Sequence, residues 1–384
     1  MDKVLIVVPR LIGHGMERMA VLASESIRDK YDTEIVVFTG ENQEYKTDTT
    51  IINLNIPAEN GVLRKAVNVV KRVFRLKKHR KSCGASAVIS FGTSANIANV
   101  LSKGKGRTII SFRGYATVSK SVSFFLTCLL ADWIFCISEG LLIHLHELCP
   151  WAVNKSSVIY NRIDLKGMRE KSLEKVDFEP SHPAFVAMGR LEPVKGHKHL
   201  LRAFAAVKKE IPHASLTLIG EGKDCAALKY MAKELHIEDS VLFIGKKENP
   251  FPYMKKCDIC VATSITEGFM NVLVEAGVCG LAAVSTDCKA GPREILSQRK
   301  IYAELQDIEY AEYGVLVPPF SSNDSDESDK DNLLANAMTK LAVDKKIYER
   351  YSLALSKRAE DFSIEKYHDD IIALLKGGKM NENK

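Results

Sequence analysis

The sequence predicts an α/β protein with two doubly wound, Rossmann-like domains. The chain has 384 residues, which is more than one small core uses and suits two domains of ordinary size. Short apolar runs alternate with segments of helical period in both halves, as in parallel sheets covered by helices. A polar stretch without clear period separates the halves. We therefore predict domains at 1–165 and 184–360, a linker at 166–183 and a C-terminal helical segment at 361–384.

In the first half, short apolar runs predict strands, and helices are expected between them. The strands are expected at Lys3–Pro9, Glu34–Thr39, Thr50–Leu54, Ala87–Phe91, Thr108–Ser111 and Ile134–Ser138. The helices are expected at Arg18–Lys30, Leu63–Lys81, Thr93–Ser102, Ser123–Leu130 and Glu139–Leu148. Gly15 lies in the loop after the first strand, and Arg113 follows the fifth strand. Ligands bind at such loops in doubly wound folds.

The second half repeats this alternation. Its strands are expected at Ala184–Met188, Ser215–Gly220, Val241–Gly245, Asp258–Ser264 and Leu281–Thr286. Its helices are expected at His197–Lys209, Asp224–Leu235, from Met270 onward, Asn332–Leu341, Lys345–Lys357 and Ile364–Leu375. The acidic stretch Ser321–Asp331 predicts an exposed loop. It contains a D-x-D pattern at 324–326, but its composition and position argue against a metal site.

The composition excludes several classes of protein. No apolar run approaches the ~20 residues of a membrane-spanning helix, and Met1 leads almost directly into a strand rather than a signal peptide. The nine cysteines are scattered through predicted strands and helices, as expected for thiols in a reducing cytosol. Cys257 and Cys260 form a C-x-x-C without a second pair of ligands nearby. We interpret them as core residues.

Two carboxylates frame the segment Thr266–Cys279, which reads T-E-G-F-M-N-V-L-V-E-A-G-V-C. Glu267 lies in a loop just before the predicted helix, and Glu275 lies eight positions further along, inside it. The first N–H groups of a helix have no partner within it and attract an anion such as phosphate. A carboxylate accepts two hydrogen bonds, which suits neighbouring hydroxyls of a sugar or a ribose. Together these features indicate a sugar nucleotide as ligand.

The same segment resembles a known enzyme family. Glu267 and Glu275 match the E-x7-E motif of the retaining glycosyltransferases of family 4, whose wider motif reads E-G-F-P-N-V-L-L-E-A-M-A-C-G. The loop Gly189–Gly196 reads G-R-L-E-P-V-K-G and is similar to the family's G-R-L-x-x-x-K-G. The run Thr286–Leu296 resembles members that build bacterial surface polysaccharides from UDP-sugars.

This resemblance implies the GT-B fold, in which two Rossmann-like domains face a central cleft that holds the active site. It also implies roles for individual residues. The residues expected to be catalytic are Arg190, Lys195 and Glu267. Those expected to bind the donor are Gly15, Arg113, Gly245, Lys246, Gly268, Phe269, Met270, Asn271, Val272 and Glu275. Fixed cations of the chain would stabilise the leaving diphosphate, so we expect no metal site and no cofactor besides the UDP-sugar donor.

A basic segment, Leu63–Lys81, carries nine Lys and Arg residues and neither Asp nor Glu. Its residues Leu63, Val67, Val70 and Phe74 recur at helical spacing, which predicts an amphipathic helix. Two interpretations stay open: a helix facing the core with a solvated basic face, or a contact with anionic lipid or a pyrophosphate-bearing acceptor. We favour the second, because related polysaccharide enzymes use such a helix at the membrane. A nucleic-acid partner is not expected, since no recognition motif accompanies the segment.

We therefore expect a retaining hexosyltransferase that moves Gal, GalNAc, GlcNAc or Glc from a UDP-sugar to a lipid-linked glycan in capsule, O-antigen or exopolysaccharide synthesis. Such an enzyme would lie in the cytoplasm, at the inner face of the plasma membrane. One alternative is an NAD(P)-binding oxidoreductase, although the first strand is not followed by G-x-G-x-x-G. The other is a non-catalytic member of a polysaccharide assembly complex, which the presence of Arg190, Lys195, Glu267 and Glu275 argues against.

Overall fold

The computed structural model describes residues 1–12, 15–41, 47–59, 61–299, 303–321 and 327–377. The chain divides into two compact units. The first unit contains Met1–Arg162 together with Ile364–Lys384, and the second contains Ile163–Ser363. The chain thus changes unit after residues 162 and 363, where the sequence predicted changes after 165 and 360.

The first unit is built on a parallel sheet of seven strands in the order β3-β2-β1-β4-β5-β6-β7. The strands are β1 Lys3–Val8, β2 Asp32–Val37, β3 Thr50–Asn53, β4 Ala87–Phe91, β5 Arg107–Phe112, β6 Trp133–Cys136 and β7 Ser156–Val158. The helices are α1 Gly15–Ser26, α2 Val62–Ser82, α3 Thr93–Leu101, α4 Val122–Leu130 and α5 Glu139–Leu148. The strand order reverses beside β1, which confirms the predicted doubly wound arrangement.

Strand β1 shows why helices cover both faces of this sheet. Its residues from Val4 to Val8 are all fully buried. Ile6 packs in one apolar cluster with residues of α1, whereas Leu5 and Val7 pack in another with residues of α2 and α3. Successive side chains of a strand point to opposite faces. A continuous apolar run such as β1 therefore needs cover on both sides.

Helix α2 turns an unexpected side toward the protein. Its predicted apolar stripe is between 51% and 84% exposed at the residues Leu63, Val67, Val70 and Phe74. The inward side instead carries Leu76 and two buried polar residues, Asn68 and Arg80. Asn68 donates to the Pro57 carbonyl at 2.9 Å, and Arg80 donates to the Thr108 hydroxyl at 3.0 Å. Hydrogen bonds from the Asn68 amide and the Arg80 Nη2 offset much of the cost of burying these side chains. The helix therefore faces the core with this side and leaves the four apolar residues in solvent.

The second unit has a seven-stranded sheet in the order β10-β9-β8-β11-β12-β14-β13, parallel except that β13 runs antiparallel to β14. Its strands are β8 Ala184–Met188, β9 Ser215–Ile219, β10 Val241–Gly245, β11 Ile259–Ala262, β12 Ala282–Thr286, β13 Glu309–Tyr310 and β14 Val315–Val317. Its helices are α6 Leu165–Ser172, α7 His197–Glu210, α8 Cys225–Glu234, α9 Phe251–Lys255, α10 Asn271–Cys279, α11 Pro292–Leu296, α12 Ser328–Val343 and α13 Lys345–Ala359. The short elements β13, β14, α9 and α11 were not predicted.

Part of the predicted linker is a helix. Helix α6 covers the first residues of 166–183 and belongs to the second unit. Asp164 caps it, because its carboxylate accepts the Gly167 N–H at 2.9 Å. Leu165 and Met168 are buried, so the helix contributes to a core rather than connecting two of them. The prediction of an irregular linker is therefore wrong over this part.

The last described helix, α14 Glu365–Lys376, belongs to the first unit. Tyr367 is buried in the same apolar cluster as the residues of α1. Arg162 forms an ion pair with Asp370 at 2.6 Å, and Arg107 donates to the Leu374 carbonyl at 2.7 Å. These contacts fix the helix to the sheet of the first unit. Among the described residues, none of the helices has both the length and the apolar character needed to cross a bilayer.

Candidate active site

The second unit brings two loops together at the carboxyl ends of neighbouring strands. Strands β8 and β11 are adjacent, and the strand order reverses between them. Ligands of open α/β sheets bind at such a reversal. The loop Gly189–Gly196 follows β8, and the loop 263–270 follows β11. The Thr263 hydroxyl joins the two loops, because it donates to the Lys195 carbonyl at 2.9 Å.

Lys195 and Glu267, one from each loop, form an ion pair. The Lys195 Nζ lies 2.5 Å from Glu267 Oε1, and the Ser264 hydroxyl donates to the same oxygen at 2.7 Å. The lysine side chain is 24% exposed and the glutamate side chain is 15% exposed, so the pair is only partly open to solvent. An ammonium has three donors and a carboxylate has two oxygens. Both groups therefore keep capacity for a ligand while they hold each other in place.

Arg190, the other predicted cation, has a different partner. Its Nη1 lies 2.8 Å from Glu192 Oε1 within the same loop, and its side chain is 65% exposed. An exposed pair of this kind contributes little to stability, about 0–1 kcal/mol. Both cations belong to the loop after β8. Lys195 is held against the loop after β11 by Glu267, whereas Arg190 lies near the surface.

Helix α10 begins directly after the Glu267 loop, with Met270 at its N-cap position and Asn271 as its first residue. Phe269 and Met270 are buried. Gly291 packs against them with a φ of 101°, and a Cβ there would lie 2.9 Å from the Met270 nitrogen. The predicted donor-binding residues Gly268–Val272 therefore form a tightly packed turn at the helix start. The dipole of the helix favours an anion at this end.

Glu275, the second carboxylate of the E-x7-E pattern, lies within α10 and is partly buried. Burial, and after it the Glu275 charge, raises the pKa of the Cys260 thiol, and the same two causes raise the pKa of Cys279 to about 12. Glu275 therefore lies near β11, which contains Cys260. The buried Cys257 and Cys260 are free thiols, as predicted for core residues.

Glycines let two further loop segments, after β9 and β10, pack at the same edge of the sheet. Gly245, at the end of β10, has a φ of 72°, and its carbonyl accepts the Gly220 N–H at 3.0 Å. A Cβ on Gly220 would lie 1.8 Å from the Gly189 carbonyl oxygen, so only glycine permits this approach. The Lys246 N–H donates to Glu221 Oε1 at 3.4 Å. The candidates Gly245 and Lys246 thus lie at the edge that carries the loop after β8.

In the first unit, Arg113 follows β5 and is held among buried groups. Its guanidinium donates to the Asn161 side-chain oxygen and lies 5.5 Å over the Phe91 ring. Burial lowers the pKa of Arg113 to about 10, against the opposing effects of Tyr367 and Glu17. At neutral pH Arg113 therefore keeps its positive charge, so it can bind an anion but cannot act as a base.

Gly15, the other candidate of the first unit, is exposed and is the first residue of α1. The sequence predicted that this helix would start at Arg18, and the structure starts it three residues earlier. The preceding residues 13 and 14 lie outside the described ranges. The structure therefore places Gly15 and Arg113 in the first unit, whereas the paired Lys195 and Glu267 belong to the second.

A family model described as glycosyl transferases group 1 matches residues 168–328, which is most of the second unit. A crystal structure of HepE from Anabaena in complex with UDP and glucose has the same fold, with a TM-score of 0.72 at 17% identity, over 98% of this chain and 100% of that chain. The chain has the GT-B fold, and its second unit matches a glycosyltransferase family. The family match favours this class over the oxidoreductase alternative.

Two curated proteins that are similar to this chain are also named as glycosyltransferases. An uncharacterised glycosyltransferase of Methanocaldococcus jannaschii is 32% identical over 238 residues, which is 58% of this chain and 58% of the relative. A Campylobacter jejuni protein is 27% identical over 395 residues, or 98% of this chain and all of the relative. It is named N-acetylgalactosamine-N,N'-diacetylbacillosaminyl-diphospho-undecaprenol 4-alpha-N-acetylgalactosaminyltransferase.

The sequence analysis missed two residues near the candidate site. Ser264 is buried and holds the Glu267 carboxylate, and its place three residues before Glu267 was the only signal. His197 begins α7 directly after the Lys195 loop and is 6% exposed. Burial lowers the pKa of His197 to about 4, so the imidazole is neutral at neutral pH. The sequence shows that a histidine begins this helix, but it does not show that the histidine is buried.

Over the described ranges of the chain, one group of three side chains could hold a metal ion, namely Glu34, His79 and Cys83. It lies at the start of β2 and the end of α2, whereas the candidate site lies at carboxyl ends of strands in the other unit. Lys3 already pairs with Glu34 at 2.7 Å. The D-x-D pattern at 324–326 lies outside the described residues.

Proposed function

We propose that this glycosyltransferase is a retaining hexosyltransferase that moves a sugar of the Gal, GalNAc, GlcNAc or Glc class from a UDP-sugar to a lipid-linked glycan. The observation that carries the proposal is the contact of Lys195 with Glu267 beside the start of α10. The remaining N–H donors of the lysine suit a diphosphate, and the second oxygen of the carboxylate suits sugar hydroxyls. Glu275 would bind the ribose hydroxyls.

The names of similar proteins support these substrates. The Campylobacter relative is named for an acceptor linked to diphospho-undecaprenol, and the HepE crystal contains UDP and glucose. By analogy, the chain would act in capsule, O-antigen or exopolysaccharide synthesis. The finer assignment to the retaining family 4 rests on the E-x7-E pattern of Glu267 and Glu275.

In the proposed reaction the acceptor hydroxyl forms a bond to the anomeric carbon on the face from which UDP departs. The bond between that carbon and the phosphate oxygen breaks, and the leaving phosphate takes the hydroxyl proton. Negative charge grows on the phosphate during this step, so fixed positive groups lower the barrier. Lys195 and the start of α10 would supply these groups. Arg190 would also contact the phosphate after its ion pair with Glu192 breaks. Since the chain itself provides these cations, we propose that the reaction needs no metal ion or other cofactor.

We expect UDP-sugars to raise the melting temperature of the protein, and GDP- and ADP-sugars to have little effect. A ligand that binds only the folded state stabilises it by about 2.7 kcal/mol at 100 times its Kd. The shift should persist in EDTA, because no metal bridges the protein and the diphosphate. Equal shifts with all three nucleotides would contradict the UDP assignment. A shift lost in EDTA and restored by manganese would show that a metal takes part.

We further propose that the exposed stripe of α2 contacts an anionic membrane surface or the pyrophosphate of a lipid-linked acceptor. Four apolar side chains of this stripe face solvent, and Lys71, Lys77 and Lys78 lie exposed on the same helix. Apolar side chains beside lysines suit the interface of an anionic bilayer. Two arginines of the helix do not serve this contact, because Arg72 and Arg75 donate to the Ile56 and Leu54 carbonyls. This contact would place the enzyme at the inner face of the plasma membrane.

Replacing Lys71, Lys77 and Lys78 by glutamine should weaken binding to anionic vesicles by about 3 kcal/mol, at ~1 kcal/mol for each lysine near the surface. The loss should shrink at high salt, where screening already weakens the attraction. Co-sedimentation with anionic and neutral vesicles measures it. The matched control replaces three exposed lysines of the second unit, Lys209, Lys345 and Lys346. Equal binding by both triple variants would remove the membrane contact and leave the glycosyltransferase assignment intact.

A further inference from the structure

A cavity opens in the first unit at the carboxyl ends of β4 and β5, and no proposed role so far uses it. Its volume is about 170 Å³. Thr93, at the start of α3, and Phe112, at the end of β5, line it together with the segment that leads into α4. Carboxyl ends of parallel strands are where doubly wound sheets bind ligands. The cavity therefore lies where a ligand of this unit is expected.

Hydroxyl groups dominate the wall of this cavity. They belong to Thr93, Thr117, Ser119, Ser121, Ser123 and Thr127. None of the described residues that line it carries a charge. A hydroxyl has one proton to donate and two lone pairs that accept. A wall of this kind offers many weak hydrogen bonds and no counter-ion for a phosphate or a carboxylate.

Three of these hydroxyls are held in place by the backbone and keep capacity for a ligand. Thr117 donates to the Gly114 carbonyl at 2.6 Å, and Thr127 donates to the Phe124 carbonyl at 2.8 Å. Ser121 caps α4 by accepting the Phe124 N–H at 3.3 Å. The hydroxyl of each of these two threonines donates its hydrogen bond to a carbonyl, so its lone pairs remain free to accept hydrogen bonds. Fixed acceptors of this kind suit a ligand that is rich in O–H donors.

Two aromatic rings and one amide complete the wall. The rings of Phe112 and Phe124 lie 5.2 Å apart at 51° and provide an apolar surface. The Asn96 amide is held in place, because its Oδ1 accepts the Ser90 hydroxyl and its Nδ2 donates to the Ser111 carbonyl, both at 2.8 Å. The C–H face of a sugar ring suits an aromatic surface, and its hydroxyls suit the rest of the wall.

We propose that this cavity binds one uncharged sugar ring of the acceptor glycan. The inference rests on the proposed function and adds a restriction to it, because the wall offers no partner for an acidic or phosphorylated sugar. Binding here would involve only the first unit, whereas the donor would be held by Lys195 and Glu267 in the second. The two sites can therefore be tested separately.

Saturation-transfer NMR with methyl glycosides of glucose, galactose and N-acetylglucosamine tests the proposal, with methyl glucuronoside as the charged counterpart. Ala116 lines the cavity and is exposed, so Ala116→Trp fills the space without disturbing the core. Lys120→Trp is the matched control, because Lys120 is exposed four residues further on and does not line the cavity. At least one neutral glycoside should receive saturation from the wild type and from K120W, and its signal should fall to background in A116W. The glucuronoside should give no signal.

Three results would overturn the proposal: no neutral glycoside receives saturation from the wild type, A116W gives the wild-type signal, or the glucuronoside binds as well as the neutral sugars. A signal lost in Glu267→Gln but kept in A116W would place the sugar at the donor site and equally exclude the cavity. Failure of the proposed function looks different. In that case UDP-sugars would not shift the melting temperature of any of these proteins, whatever the glycosides do.

Discussion

Replacing Lys195 by alanine is expected to slow sugar transfer by about 100-fold and to leave folding almost unchanged, since one fixed donor on a developing negative charge is worth about 3 kcal/mol. In the structure its Nζ lies 2.5 Å from Glu267 Oε1. The variant removes the proposed cation of the diphosphate and also frees the carboxylate on one side. Glu267 would still accept the Ser264 hydroxyl at 2.7 Å, so its position should largely persist. Initial rates of UDP release and urea unfolding curves measure the two effects separately.

The matched control is Lys209→Ala, which removes an exposed lysine at the end of the same helix that follows the Lys195 loop. It should keep wild-type turnover. Arg190→Ala should also lose transfer with little loss of stability, because the pair of Arg190 with Glu192 is exposed. Turnover near the wild-type rate in Lys195→Ala would remove this residue from the leaving diphosphate and with it the main support of the proposed mechanism.

The strands could be predicted because parallel sheets covered on both faces leave short, continuous apolar runs in the sequence. Strand β4 was predicted at Ala87–Phe91, where the structure has it, and all five residues are buried. Strands β13 and β14 escaped prediction, since they have two and three residues and show no period. Helix α6 escaped because its few apolar positions are surrounded by charged ones, and the Asp164 cap was overlooked.

The orientation of α2 could not be predicted from its period. Four apolar residues define one side of the helix, and the hydrophobic effect alone would bury that side. The structure buries the side that carries Asn68 and Arg80 instead, because the Pro57 carbonyl and the Thr108 hydroxyl accept their hydrogen bonds. Those acceptors lie elsewhere in the chain, so no local pattern could have shown them.

The pairing at the candidate site depends on the order of strands in the sheet. Lys195 and Glu267 are 72 positions apart in the chain and meet because β8 lies beside β11. The motifs indicated that both residues belong to one site but did not show that one holds the other. The motif around Arg190 and Lys195 also predicted equal roles for both residues, whereas the structure pairs Arg190 with Glu192 at the surface.

Replacing Gly196 by alanine is expected to destabilise the second unit and to abolish the stabilisation by UDP-sugars. Gly196 joins the Lys195 loop to α7 with a φ of 64°, which costs an L-residue about 1–2 kcal/mol. In addition, a Cβ would lie 2.1 Å from the Thr263 carbonyl oxygen, and neither backbone segment can yield without moving its loop. This overlap should add roughly 1–3 kcal/mol. The movement would separate Lys195 from Glu267, because these two loops carry the pair.

Gly280→Ala is the control that isolates the overlap from the backbone conformation. Gly280 lies in the same unit with a φ of 83°, and its missing Cβ would meet nothing within 4 Å. The free energy of unfolding of this variant should fall only by the conformational cost of about 1–2 kcal/mol. Its response to UDP-sugars should remain. Urea unfolding and thermal shifts with UDP-sugars compare the two. If both variants lose the same stability and both still respond to UDP-sugars, the close approach of the loops is not what holds Lys195 in place. A larger loss in Gly196→Ala, together with a lost response, would tie donor binding to the contact between these two loops.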